Sequence, residues 1–131
     1  MIVLDTHALV WWLADPAKLS AAARRAVLAS AAEKEVAAST ASVLEIATLV
    51  RRQRLILSVP FEEWLSDVRQ LSELQLLPIS VEIAARAGSF GSEVHGDPID
   101  RLIVATALEF KSPLVTADSN IRSLPAVRTI W

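Results

Sequence analysis

The chain contains no cysteine, which excludes disulfides, thiolate metal sites and cysteine nucleophiles together and fits a protein of the cytoplasm. Glycine is also scarce. With three in the whole sequence there is no GxxxxGK[ST] and no GxGxxG run, so neither common glycine-rich phosphate cradle is present. The two histidines, His7 and His95, show no HExxH-like spacing. His7 opens an apolar helical stretch and His95 lies in a glycine-containing loop, and neither is assigned a catalytic role. Long hydrophobic runs are missing as well: the longest, Ala8 to Ala14, is seven residues, too short to span a bilayer. No basic segment followed by an apolar stretch and a cleavage site marks the chain for secretion. Nothing in it reads as a linker, a repeat or a low-complexity segment.

Basic charge is in deficit. Thirteen Lys and Arg against fifteen Asp and Glu leave a net charge of −2, which taken alone argues against binding to nucleic acid, where phosphates want a basic surface. The objection weakens if many of the acids are gathered around a divalent cation that reverses the local sign. The arginines are unevenly placed: Arg51, Arg52 and Arg54 close one helical stretch, and Arg101 stands next to Asp100. Such a cluster is either a solvated helix end favoured by the helix dipole or a phosphate-facing patch.

What the chain has in plenty is apolar side chain, 53% of residues with a mean hydropathy of +0.40. At 131 residues it suits one domain, 1–131, with a substantial core, and the surplus apolar surface invites cover by a protein partner. Trp11 and Trp12 are adjacent, so on a helix they point about 100° apart. One is expected to pack inside and the other to serve an interface, where Trp is favoured.

The patterning alternates strand and helix. Ile2 to Leu4 reads as a buried strand stopped by Asp5. His7 to Leu13 reads as a helix buried on more than one side, and Ser20 to Ala32 as an Ala-rich helix capped by Ser20. Val36 to Ser39 is a second strand, Ser42 to Arg52 a third helix, and Pro60 opens a helix to about Leu74. Gln75 to Ile79 is a third strand interrupted by Pro78, and Val81 to Ala87 a helix. Ser89 to Gly96 reads as a mobile loop. Asp97-Pro98 starts a helix to about Phe110, Leu114 to Thr116 is a fourth strand, and Val127 to Ile130 offers a fifth. This order predicts an α/β fold with a mostly parallel four- to five-stranded sheet and helices on both faces.

In such a sheet ligands collect beyond the carboxyl ends of the strands. Asp5 lies just past the first strand and Asp118 just past the fourth, while Glu45 and Asp100 fall in the first turns of helices. Four carboxylates drawn together repel one another and call for a cation, and an all-oxygen set suits Mg²⁺ or Mn²⁺. Each acid also has an ordinary explanation. Asp5 can cap the first helix, and Ser42-Val43-Leu44-Glu45 matches a capping box. Asp97 and Asp100 suit a helix start, and Asp118-Ser119-Asn120 suits a polar turn.

Taken jointly, "MIVLDTHALVWWL", "SVLEIA" (Ser42 to Ala47), "LLPISVEIAARA" (Leu76 to Ala87), "GDPIDRLIVATAL" (Gly96 to Leu108) and "LVTADSNI" (Leu114 to Ile121) resemble, in order and spacing, the successive motifs of PIN-domain ribonucleases. The resemblance is nearest to the VapC-type toxins of bacterial toxin–antitoxin pairs. It implies a three-layer α/β sandwich of the PIN type. It implies that Asp5, Glu45, Asp100 and Asp118 form the acidic site, with Asp5, Asp100 and Asp118 on Mg²⁺ or Mn²⁺. Thr116 matches the family's hydroxyl residue and Thr6 follows the first acid. Which of Asp97 and Asp100 binds metal directly is open; "DRLIVATA" carries the family's motif and favours Asp100, which leaves Asp97 as a helix cap or supporting group. Arg101, Arg51 and Arg52 become candidates for contact with RNA phosphates. A homodimer inhibited by a small antitoxin is implied as well.

The reaction expected is metal-assisted hydrolysis of RNA phosphodiester bonds, leaving a 5′-phosphate and a 3′-hydroxyl, with an unpaired loop as the natural target. A phosphatase using an aspartyl nucleophile wants a second Asp two residues after the first, where His7 stands. A receiver domain pairs adjacent acids early in the chain, and Asp5 is alone. The remaining alternative is a PIN-like binding or interaction module that does not cleave.

Overall fold

The computed structural model describes residues 1–131. Five short parallel strands form its centre: β1 (Ile2–Leu4), β2 (Val36–Ser39), β3 (Leu74–Leu77), β4 (Leu114–Val115) and β5 (Thr129–Ile130), in the order β3-β2-β1-β4-β5. Seven α-helices accompany them: α1 (Thr6–Ala14), α2 (Ala21–Ala32), α3 (Thr40–Arg51), α4 (Phe61–Arg69), α5 (Val81–Ser89), α6 (Pro98–Glu109) and α7 (Ser119–Arg122). The expected α/β sandwich is present. No helix is long and apolar enough to cross a membrane.

Strand periodicity divides the core between two layers. Ile2, Leu4, Val36, Ala38 and Val115 face one layer, with Leu9, Val27 and Val68 from α1, α2 and α4. Val3, Ala37 and Leu114 face the other, against Ile103, Val104 and Ala107 of α6. With helices on both sides, β1 needs no polar face, and all three of its residues are buried. The chain winds outward from β1 through β2 to β3, then crosses back to lay β4 on the other side of β1. Connections therefore diverge between β1 and β4, the place where an open parallel sheet leaves a crevice.

Several boundaries differ from expectation for local reasons. α3 begins at Thr40, capped by Ser39, whose hydroxyl accepts the Ala41 N–H at 3.0 Å. Ser42 is thus inside the helix and buried, accepting a 3.0 Å hydrogen bond from Thr6 Oγ1. No capping box involves Glu45, which sits about one and a half turns into α3 rather than in its first turn. The helix opened by Pro60 stops at Arg69 instead of Leu74, because Leu74 pairs with Val36 as the first residue of β3. Pro78 falls just after that strand and so removes no ladder hydrogen bond. Trp11 and Trp12 are both half-buried and both pack against the same apolar layer, α1 being wrapped by that layer on two flanks, so neither is simply inside or outside.

The scarcity of glycine is felt at helix ends. Lys34, Gln53 and Lys111, each two residues past the end of a helix, have φ of 59°, 58° and 51°. This is the left-handed position that usually terminates helices with glycine.

Candidate active site

Asp5 is the last residue before α1, fixed by the end of β1 and by its own cap: Oδ1 accepts the Ala8 N–H at 2.8 Å. Asp118 stands in the same relation to α7, accepting the N–H groups of Asn120 (2.8 Å) and Ile121 (3.2 Å) on Oδ1. Thr116, fully buried on the way out of β4, accepts the Asp118 N–H at 3.0 Å and so sets the turn that aims the acid. Asp97 caps α6 through the Ile99 N–H at 2.9 Å, which places Asp100 in that helix's first turn. The capping readings of Asp5 and Asp97 are therefore correct, the polar turn expected at Asp118 is instead the N-cap of α7, and none of these competes with a site role. In Asp5 and Asp118 Oδ1 alone carries the cap, leaving Oδ2 for other partners.

These acids converge. A cavity of about 420 Å³ beyond β1 and β4 is lined by Asp5, Thr6, His7, Trp11, Glu45, Asp97, Asp100, Ala117 and Asp118. Every acid expected from the sequence is in it, together with Thr6 and Asp97, while Thr116 supports its floor. The Thr6–Ser42 bond ties the start of α1 to α3, the helix that delivers Glu45.

Crowded carboxylates away from water are costly, and two of them show it. Burial raises the pKa of Asp5 above its ordinary value, with Asp118 adding to the rise and the Thr116 hydroxyl and Ala8 N–H opposing it. Burial also pushes Asp100 up to about 6, aided by the charges of Asp97, Glu45 and Asp118 and opposed by His95. A divalent cation would cancel this strain, and the donor set, carboxylate oxygens in a polar cavity, fits Mg²⁺ or Mn²⁺.

The arginines are not at the cavity wall. Arg51 and Arg52 are exposed at the far end of α3, about 9–10 Å along the helix axis from Glu45. Arg101 is turned away from it. Its guanidinium donates to the carbonyls of Ala87 (2.9 Å), Val94 (3.0 Å) and Phe90, and lies over the Phe90 ring. Three of its five N–H donors are thus spent on backbone carbonyls, and it is absent from the cavity lining. Those bonds also hold the segment expected to be a mobile loop, whose Val94 is 5% exposed.

Both histidines, set aside from the sequence, are at the site. His7 lines the cavity, and Nε2 of His95 lies 3.1 Å from Asp100 Oδ2. The only sequence signal for His95 was its position just before the Gly96-Asp97-Pro98 helix start. A second, mostly apolar cavity of about 470 Å³ adjoins the first through Trp11, lined also by Val10, Leu13, Leu55, Leu57 and Trp64.

Comparison with known proteins agrees with this arrangement. The chain is 38% identical to Ribonuclease VapC22 of Mycobacterium tuberculosis over 133 residues, 99% of this chain and 98% of that protein. In fold it is similar to VapBC2 of Rickettsia felis, solved with a DNA fragment from its promoter (TM-score 0.70, 20% identity, 98% of this chain and 97% of that one). It is also similar to FitAcB of Neisseria gonorrhoeae (TM-score 0.66, 23% identity, 98% and 96%). Residues 2–127 match the family described as PIN domain, and with the acids gathered at the β1–β4 crevice the chain belongs to the PIN-domain family.

Proposed function

We propose that this chain is a metal-dependent endoribonuclease, the toxin of a toxin–antitoxin pair, with Mg²⁺ or Mn²⁺ as its cofactor. The observation that carries the reading is the meeting of Asp5, Glu45, Asp100 and Asp118 in one cavity of a PIN-domain chain.

Asp5, Asp100 and Asp118 would hold the cation, with Glu45 completing the acidic pocket. When bound, the cation supplies an activated water and offsets charge on the scissile phosphate. The residues around it do the positioning. Caps on Asp5 and Asp118 fix one oxygen of each carboxylate, and Thr116 sets the angle of the latter. The rings of His7 and Trp11 stand 5.6 Å apart at the cavity edge and offer faces on which an unpaired base can stack. In the reaction a water oxygen bonds to phosphorus as the P–O3′ bond breaks. The water gives up a proton and the departing 3′-oxygen takes one, leaving a 5′-phosphate and a 3′-hydroxyl.

The net charge of −2 rules out long-range attraction of RNA by the whole surface. Recognition in this reading is short-range and depends on the loaded cavity. The partner is a small inhibitory protein seated on the apolar cavity beside Trp11, in a cytoplasmic complex built on a homodimer of this chain. Purified protein freed of its partner should cut total RNA with Mg²⁺ or Mn²⁺ and not with EDTA, and mapped ends should carry the 5′-phosphate. A folded preparation that binds RNA with Mn²⁺ and leaves it intact would instead make the chain a binding module.

A further inference from the structure

The α5–α6 connection brings an imidazole nitrogen up to the cluster of carboxylates. His95 Nε2 is buried and has no hydrogen-bond partner, although Asp100 Oδ2 is 3.1 Å away. A buried polar atom left unsatisfied is costly, and a group that persists so needs an explanation. One atom from each of His95, Asp100 and Asp118 lies within 4.8 Å of the other two. Neighbouring donors on an octahedral cation of this size stand about 3 Å apart and opposite donors about 4 Å; the 3.1 Å between His95 Nε2 and Asp100 Oδ2 matches neighbouring donors, and the three atoms need to close by less than about 1 Å to share one ion.

The loop is built to keep His95 there. Val94, the residue before it, is buried among the α6 core side chains, and its carbonyl accepts from Arg101 Nη1 at 3.0 Å. Arg101 also binds the carbonyls of Ala87 and Phe90 on the same segment. Hydrogen bonds from a charged guanidinium are stronger than neutral ones, and here they are directed at the stretch that carries His95. Asp100 and Arg101 are adjacent on α6, so one helix turn presents an acid to the site and, beside it, the cation that fixes the loop.

We propose that His95 is a nitrogen ligand of the cation site, alongside Asp100 and Asp118, and that Arg101 is the residue that positions it. The inference rests on the reading of this cavity as a cation site. Imidazole is a ligand of first-row transition metals rather than of Mg²⁺, so His95 tilts the site away from Mg²⁺ and toward a transition-metal ion, of which Mn²⁺ is the one closest to Mg²⁺ in its taste for carboxylates.

The full chain, freed of partner, is titrated with Mn²⁺ and with Mg²⁺, and the Mn²⁺ complex is examined by pulsed electron paramagnetic resonance for coupling to nitrogen. The wild type should show nitrogen coupling. His95→Gln should lose it, bind Mn²⁺ about tenfold more weakly or worse, and change its Mg²⁺ affinity less. His7→Gln should keep the coupling, since the chain's only other imidazole is then gone. Arg101→Lys, which cannot span three carbonyls, should weaken both coupling and affinity. Should that variant melt early, Phe90→Leu, which removes the ring under the guanidinium and keeps an apolar side chain against the core, reports on the same tether. Mn²⁺ bound with no nitrogen coupling, or coupling that survives His95→Gln, overturns the assignment and leaves the ribonuclease reading standing. A wild type that binds no Mn²⁺ while Asp118→Asn behaves identically overturns both. Coupling and affinity unchanged in a folded Arg101→Lys overturn the positioning role alone.

Discussion

Replacing Asp100 with asparagine is expected to stabilise the metal-free protein at neutral pH, and the gain should carry a definite pH signature. Folded Asp100 keeps its proton up to about 6, whereas the unfolded chain releases it near the ordinary 3.8. Between those values the folded state binds more protons, so stability is highest below 3.8 and falls as pH rises to about 6, then levels off. The full gap corresponds to about 3 kcal/mol. The side chain is 22% exposed, and solvent screening reduces the expected effect to about 1–2 kcal/mol, roughly 3–8 °C in Tm for a domain of this size. Melts in EDTA across the acid-to-neutral range would show the wild type losing this increment as pH rises, while Asp100→Asn loses less. Adding Mn²⁺ at about a hundred times its Kd should return about 2.7 kcal/mol to the wild type and less to the variant. Parallel pH profiles for the two proteins in EDTA would refute the reasoning, because they would mean that Asp100 is not held away from water and among like charges.

Asp5→Asn should abolish RNA cleavage by about a hundredfold or more while the protein folds, since asparagine still accepts the Ala8 N–H and keeps the cap of α1. Wild-type cleavage by that variant would reduce Asp5 to a cap. Glu45→Gln should likewise lose activity with no loss of Tm, because Glu45 makes no capping box; a fall in Tm together with retained activity would reverse the assignment. Lys34→Gly should raise stability by up to about 1 kcal/mol in urea melts, by relieving the left-handed strain at φ 59°, and unchanged or lower stability would refute it. Trp11→Ala should weaken binding of the partner encoded by the neighbouring open reading frame by about 2 kcal/mol or more, as Trp11 is shared by the acidic and apolar cavities. Unchanged affinity with an intact fold would move that interface elsewhere.

The fold was legible wherever one physical signal dominated. β1 is an apolar run closed by an acid, and α6 opens with an acid, a proline and a second acid, so both are readable from local chemistry. The errors came where two signals overlapped. Ser39 and Ser42 are both good caps, and the choice fell to Ser39 because Ser42 is drawn into the interior by Thr6. Between Arg69 and Leu74 the apolar spacing continues, but pairing with β2 turns Leu74 into a strand residue. Neither the hydroxyl contact nor the ladder is visible in local pattern, since both partners are about forty residues away in sequence or nearly so.

The site divides along the same line. Asp5, Asp100 and Asp118 were legible because each stands at a strand end or helix start, whereas Glu45 lies inside α3. A helix cap consumes one carboxylate oxygen while leaving the other free, so both kinds of role fit in Asp5 and Asp118. The placement of the loop residues was not legible, because the contacts of Arg101 and His95 both run through the α5–α6 connection. An arginine next to an acid suggests a phosphate contact while its donors are free, and here backbone carbonyls of the α5–α6 connection take three of the five. A histidine in a glycine-containing loop suggests nothing until something holds that loop still. The same set of bonds draws Arg101 onto the loop and fixes the segment that sets His95 3.1 Å from Asp100, so neither placement is readable without the other.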